Sequence, residues 1–131
     1  MIELLFQRDH DRWFSFQSKG HSGYKKSGED IVCAAISAIV QTALLGIKAF
    51  DKEISSYVIE DGFLEWNLTT KTEFEFDVQI QSIITAAILG CLNIAVQYPE
   101  FVSVKLNGLF GWKNCKNYEL QDLNQLIELL K

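Results

Sequence analysis

The stretch from Ile31 to Ile47 is the most apolar part of the chain, interrupted by Ser37, Gln41 and Thr42. Such a segment cannot stay bare to water around its whole circumference, so the fold has to cover it. Its length and its polar interruptions make it a core helix and not a membrane span. The helix reads from about Glu29 to Phe50, with Ser27 as N-cap and Asp30 three residues on as an acidic form of the capping box. A second apolar helix reads from about Asp77 to Gln97, stopped by Pro99.

Outside the helices the pattern changes to strands. Ile2 to Arg8 and Arg12 to Ser18 pair across the polar step Asp9-His10-Asp11. In the second of these, Trp13, Ser15 and Gln17 alternate with Phe14 and Phe16, so one face is wet or functional. Ile54 to Ile59 and Phe63 to Leu68 form another hairpin around Glu60-Asp61-Gly62. Thr69 to Glu75 suits either more strand or a loop. Phe101 to Leu106 is a last short strand, and Asn107 to Asn117 a loop. Leucine or isoleucine at 120, 123, 126, 127 and 130 marks an amphipathic tail helix over Glu119 to Leu130. The order ββαββαβ plus that tail helix defines an α+β sandwich, with one mixed or antiparallel sheet and two apolar helices on one face. The expected division is a domain over 1–106 and a C-terminal extension over 107–131.

Composition narrows the function. The 131 residues suffice for one domain, and 48% of them are apolar, in periodic runs, so the chain folds. A net charge of -5 argues against a general nucleic-acid binder. Lys19, Lys25 and Lys26 form a local basic exception, either as a solvated loop or as a positive mouth beside a thiol. The charged N-terminus, with Glu3, Arg8, Asp9 and Asp11, is no signal peptide. The cysteines at 33, 91 and 115 are far apart and form no CxxC pair, so neither a zinc site nor a disulfide framework is indicated. Together these features point to the cytoplasm and to reduced thiols. Two histidines without HExxH spacing give no basis for a metal, and no phosphate-binding glycine motif implies a nucleotide cofactor.

The chemistry gathers at the start of the first helix. At 100° per residue, Asp30, Cys33, Ser37, Gln41 and Lys48 fall within about an 80° sector. Cys33 therefore lies on a polar stripe and off the oily face formed by Ile31, Ala35, Ala38 and Ile39. It also lies near the helix N-terminus, where the helix dipole favours an anion. Its other reading is a small core residue, since free cysteine is often buried. His21 stands twelve residues upstream, in a loop with glycines at 20, 23 and 28. Such a loop can fold back and bring the imidazole to the thiol. Asp30 can orient that imidazole, or serve only as a carboxylate at the helix N-terminus. Nucleophile, base and orienting group are the parts of a cysteine hydrolase. Gly20 and Gly23, whose amides can supply an oxyanion hole, are candidate substrate contacts together with Tyr24 and Ser37. His10 reads as a surface residue, Cys91 as a packing residue, and Cys115 has no histidine near it in sequence.

Two motifs carry a family resemblance. Gly20-His21-Ser22-Gly23-Tyr24 and Gly28-Glu29-Asp30-Ile31-Val32-Cys33-Ala34-Ala35-Ile36-Ser37 resemble the bacterial ribosomal-processing cysteine protease family, Prp. The likeness continues through Asp61-Gly62 to Gln97-Tyr98-Pro99, over about the first 105 residues. Ser22 and Ile36 replace an expected alanine and valine, and the tail from Asn107 has no counterpart. The resemblance implies a cysteine endopeptidase that trims a short N-terminal extension from a large-subunit ribosomal protein, number twenty-seven, after an apolar motif containing phenylalanine. It places the catalytic pair on His21 and Cys33, and Asp30 on the motif's acidic position. It also implies a homodimer and a histidine loop that moves until substrate binds. Two other classes stay open on the residues themselves. One is a non-catalytic assembly factor that touches RNA or a ribosomal protein through the basic loop. The other is a thiol redox sensor.

Overall fold

A computed structural model describes residues 1–9, 12–26, 28–50, 56–68, 74–108 and 113–114. The elements run β1 (Ile2–Asp9), β2 (Arg12–Lys19), α1 (Ile31–Phe50), β3 (Ser56–Glu60), β4 (Phe63–Asn67), α2 (Phe74–Gln97), β5 (Val102–Asn107) and β6 (Lys113–Asn114). They build one sheet in the order β3-β4-β2-β1-β5-β6. The β1–β5 pair is parallel and all other neighbours are antiparallel, so the sheet is mixed. The α+β sandwich expected from the sequence is the fold observed.

Strand directions explain the two long helices. β2 and β3 both run antiparallel to β4, so they are parallel to each other with β4 between them. A parallel return needs a crossover, and α1 supplies it. By the same reasoning β4 and β5 are parallel, separated by β2 and β1, and α2 supplies the second crossover. Both helices are long and apolar enough by composition to span a bilayer. In the fold each lays one face on the sheet instead. Ile2, Leu4 and Phe6 of β1 alternate into the core under Val32, Ile36, Val40, Ile84, Ile88 and Leu92. The sheet side of that core is aromatic, with Phe6 4.7 Å from Phe16 and Phe16 5.8 Å from Trp66 between ring centroids.

The phase of α1 differs from the sequence expectation. Its buried residues are Val32, Ile36, Val40, Ala43, Leu44 and Ile47, whereas Ile31 and Ala38 are exposed. A helix that is apolar nearly all round has no broad polar arc to set its rotation, so the sheet sets it. The stripe of Ser37, Gln41 and Lys48 is exposed as expected, and Cys33 lies half-buried at its border with the core. The cap also differs. Ser27 is outside the described residues, but α1 starts at Ile31 and its cap is Asp30, whose Oδ1 accepts the Cys33 N–H at 2.9 Å. α2 begins at Phe74, so the end of the ambiguous 69–75 segment is helical. Within the expected 107–117 loop, Lys113–Asn114 adds a short strand to β5. The expected tail helix and His10, Ile54 and Cys115 lie outside the described residues.

β1 and β2 slip register between Gln7 and Arg8, which disturbs the ladder near Trp13. α2 repairs this. Gln81 Oε1 accepts the Trp13 N–H at 2.7 Å, and Gln81 Nε2 donates to the Trp13 carbonyl at 2.9 Å. Arg12 Nε donates to Asp77 Oδ1 at 2.8 Å one turn away. Replacing Gln81 by Ala strands both Trp13 groups and should cost about 1–3 kcal/mol. Urea denaturation of Gln81→Ala, with an unchanged slope, measures it.

Candidate active site

The site forms where β2 and β3 end, at the carboxyl ends of two parallel strands. β2 runs into the loop of Gly20, His21, Ser22 and Gly23, and that loop runs into α1. Beside it the β3–β4 turn, Asp61-Gly62, closes the hairpin. The Gly20 N–H donates to the Gly62 carbonyl at 2.8 Å and so ties the loop to the turn. Between them opens a cavity of about 610 Å³ whose walls include Gly20, His21, Gly23, Asp30, Cys33 and Ser37. Six of the seven residues singled out from the sequence thus line one cavity. Tyr24 does not. Its half-buried ring packs edge-on against Tyr98 and Phe101, with centroids 5.7 Å and 5.3 Å away.

Asp30 organises the wall that carries the thiol. Besides capping Cys33, its carboxylate accepts the Ser22 hydroxyl and, at 3.4 Å, the Lys25 N–H. Ser22 Oγ in turn accepts the Tyr24 N–H at 3.2 Å. Partial desolvation pushes the Asp30 carboxyl up. The bonds from the Cys33 N–H, the Ser22 hydroxyl and the Lys25 and Val32 N–H groups outweigh it and hold the group below the ordinary value. The Ser22 N–H donates to Cys33 Sγ at 3.4 Å, within the looser range of a sulfur acceptor. Ser22 was not among the residues chosen from the sequence. Its place between His21 and Gly23 was visible, but only the buried position, 2% exposed, shows that it links the loop to the helix.

His21 stands on the other wall. Its Nε2 is 3.8 Å from Asp61 Oδ1, and both side chains are largely exposed, so water screens the pair. Asp61 had been read only as a turn residue. Among the described residues no hydrogen bond joins His21 to Cys33, and Asp30 contacts Cys33 and Ser22 but not the imidazole. Gly62, at φ 72°, explains the resting place of the ring. A Cβ there would sit 2.8 Å from His21 Nε2 and push the ring aside, and the positive φ itself favours glycine. The described residues hold no cluster of His, Cys, Asp and Glu suited to a metal ion.

A half-buried sulfur at the first turn of a helix, with an imidazole across the same cavity, has the parts of a cysteine peptidase on an α+β sandwich. The model of the cysteine protease Prp family matches residues 1–103. The chain belongs to that family and is a cysteine protease. The Bacillus subtilis ribosomal processing cysteine protease Prp is 26% identical over 112 residues, covering 82% of this chain and 98% of the relative. A Streptococcus mutans crystal structure superposes with a TM-score of 0.67 at 30% identity, over 81% of this chain and 93% of that one. The ribosomal processing protease Prp from S. aureus, solved with a covalently linked product peptide, has the same fold, with a TM-score of 0.70 at 19% identity. That likeness spans 82% of this chain and all of the S. aureus chain.

Two outcomes follow from the geometry. Cys91 is fully enclosed in α2, and burial pushes its thiol up to about 12. Iodoacetamide on the folded protein should therefore label Cys33 and leave Cys91 unmodified, as read by peptide mass mapping. Asp30→Ala should destabilise the fold by about 1–2 kcal/mol at neutral pH, as loss of a cap does. The folded carboxyl titrates below its unfolded value of 3.8, so the contribution is complete above that pH. It disappears as pH falls through the lower folded value. Urea titrations of both proteins at pH 7 and in strong acid should show the gap closing.

Proposed function

We propose that the chain removes the N-terminal extension of a large-subunit ribosomal protein, number twenty-seven, in the cytoplasm. The precursor's apolar, phenylalanine-containing segment is the substrate. The observation that carries the reading is the shared cavity with Cys33 and His21 on facing walls. The names of the B. subtilis and S. aureus relatives agree with ribosomal processing.

The steps follow from the residues. The Cys33 thiolate attacks the scissile carbonyl carbon. His21, having taken the thiol proton, delivers one to the leaving amine as the C–N bond breaks. Water then attacks the thioester, with His21 as base, and frees the acid and the thiol. For this His21 has to leave its place over Gly62. The reach is short, because the Ser22 nitrogen is already 3.4 Å from the sulfur and the His21 Cα lies two bonds from that nitrogen. Those two bonds span ~2.4 Å, so side-chain rotation spans most of the gap. Oxyanion donors come from the loop. In the first turn of α1, the Cys33 N–H is spent on the Asp30 carboxylate and the Ala34 N–H on the Asp30 carbonyl at 3.0 Å. The Ser22 N–H is the donor placed nearest the sulfur. Asp30 is then a positioning residue for nucleophile and loop.

The same reading includes a homodimer, which would cover exposed Leu45 and Val78 on the helix layer. It also takes residues 1–106 as the peptidase domain and 107–131 as an extension to it. Cys33→Ala and His21→Ala should each lower cleavage of the precursor by at least about a thousandfold. The check is intact-mass measurement of the precursor after incubation with each variant. Full cleavage by Cys33→Ala would sink the reading.

A further inference from the structure

The cavity is longer than the catalytic pair requires. From Cys33 it continues along the polar stripe of α1 past Ser37 to Gln41, and along the opposite wall to Ile59 of β3. Its walls end there. Four residues further down the chain from Leu44, the Lys48 Nζ sits 4.3 Å from the centre of the Tyr57 ring and brings helix and strand together. Cys33 to Gln41 is eight residues of helix, about 12 Å at 1.5 Å per residue. That is the span of three to four residues of extended peptide at about 3.3 Å each.

The lining of this arm has two characters. Val40 and Leu64 are buried, and Ile59 beside them is 51% exposed. A large apolar side chain half-bare on the wall of a cleft is a surface for another apolar group. Opposite it stand the exposed polar side chains of Ser37 and Gln41. A glutamine amide carries one acceptor and two donors and can pair with both the N–H and the C=O of one residue. Gln81 does this to Trp13 elsewhere in the fold, at 2.7 and 2.9 Å.

We propose that this arm is the subsite for the three or four substrate residues on one side of the scissile bond. The peptide lies extended between α1 and β3. An apolar side chain seats against Ile59 and Leu64, and Gln41 grips the peptide backbone. The proposal rests on the peptidase reading, and adds the residues that select the sequence to be cut.

The test uses full-length protein and synthetic peptides spanning the precursor's cleavage site, each apolar position changed in turn to Ala or Asp. Gln41→Ala should raise KM about tenfold on every peptide, since backbone gripping ignores side chains. Ile59→Ser should lower kcat/KM about tenfold on the apolar peptide. On the peptide with Ala at the position that Ile59 reads, the same variant should change little. Glu100→Ser, exposed after α2 and outside the cavity, should match the wild type. If the wild type cuts and both Gln41→Ala and Ile59→Ser cut every peptide within twofold of it, the subsite is wrong and the peptidase reading stands. If the wild type cuts none, the peptidase reading fails. The arm is then judged by fluorescence anisotropy of the fluorescein-labelled apolar peptide on Cys33→Ser. Binding weakened about tenfold by adding Ile59→Ser supports it, and binding that is absent or unchanged overturns it.

Discussion

Asp30 ends the glycine loop and begins α1 within a single residue. One carboxylate oxygen takes the Cys33 N–H, and the other takes the Ser22 hydroxyl and the Lys25 N–H. With the Val32 N–H these make four donors on one acidic group, in charge-assisted bonds that are stronger than neutral ones. They hold the loop against the helix at the point where the sulfur emerges. Without that clamp the loop would carry three positive-φ glycines, Gly20, Gly23 and Gly28, and little to select one conformation. The flexibility that lets His21 move and the rigidity that holds Cys33 thus occupy one segment, divided at Ser22.

The clamp also constrains the chemistry. A helix N-terminus usually offers unpaired N–H groups to an anion. Here Asp30 has taken those of Val32, Cys33 and Ala34, so in the proposed mechanism the hydrogen bonds for an oxyanion come from elsewhere. The loop amides are the nearest source, and the Ser22 N–H already points at the sulfur. One segment thus carries both the proposed donor and the imidazole.

Much of the fold could be read from residue pattern. Period-two strands around two apolar helices, with a proline after the second, fix the element order with little ambiguity. The rotation of α1 could not be read, because Ala35, Ala38 and Ile39 look as fit for a core as Val32, Ile36 and Val40. Only the sheet distinguishes them. The site divides in the same way. Cys33 and His21 stood out because a thiol on a polar stripe and an imidazole between glycines are chemically distinctive. Ser22 and Asp61 did not, since a serine in a loop and an aspartate in a turn have ordinary local explanations. Tyr24 misled for the opposite reason. Its neighbours in the chain line the cavity, but its ring follows the aromatic cluster of Tyr98 and Phe101, which are remote in sequence.

The position of His21 follows from the hairpin on the other wall. The Gly20 N–H is bonded to the Gly62 carbonyl, so the residue before His21 is anchored to the turn. The residue after it, Ser22, is anchored to Asp30. His21 is therefore the joint between two fixed points, one on the sheet and one on the helix. The swing of its ring from Gly62 toward Cys33 that the proposed mechanism requires would leave both anchors in place. A backbone fixed on both sides with a free side chain between them needs only rotamer changes, which cost far less than refolding a loop. The glycine at 62 is what makes the resting place available, because any side chain there would collide with the ring and displace it.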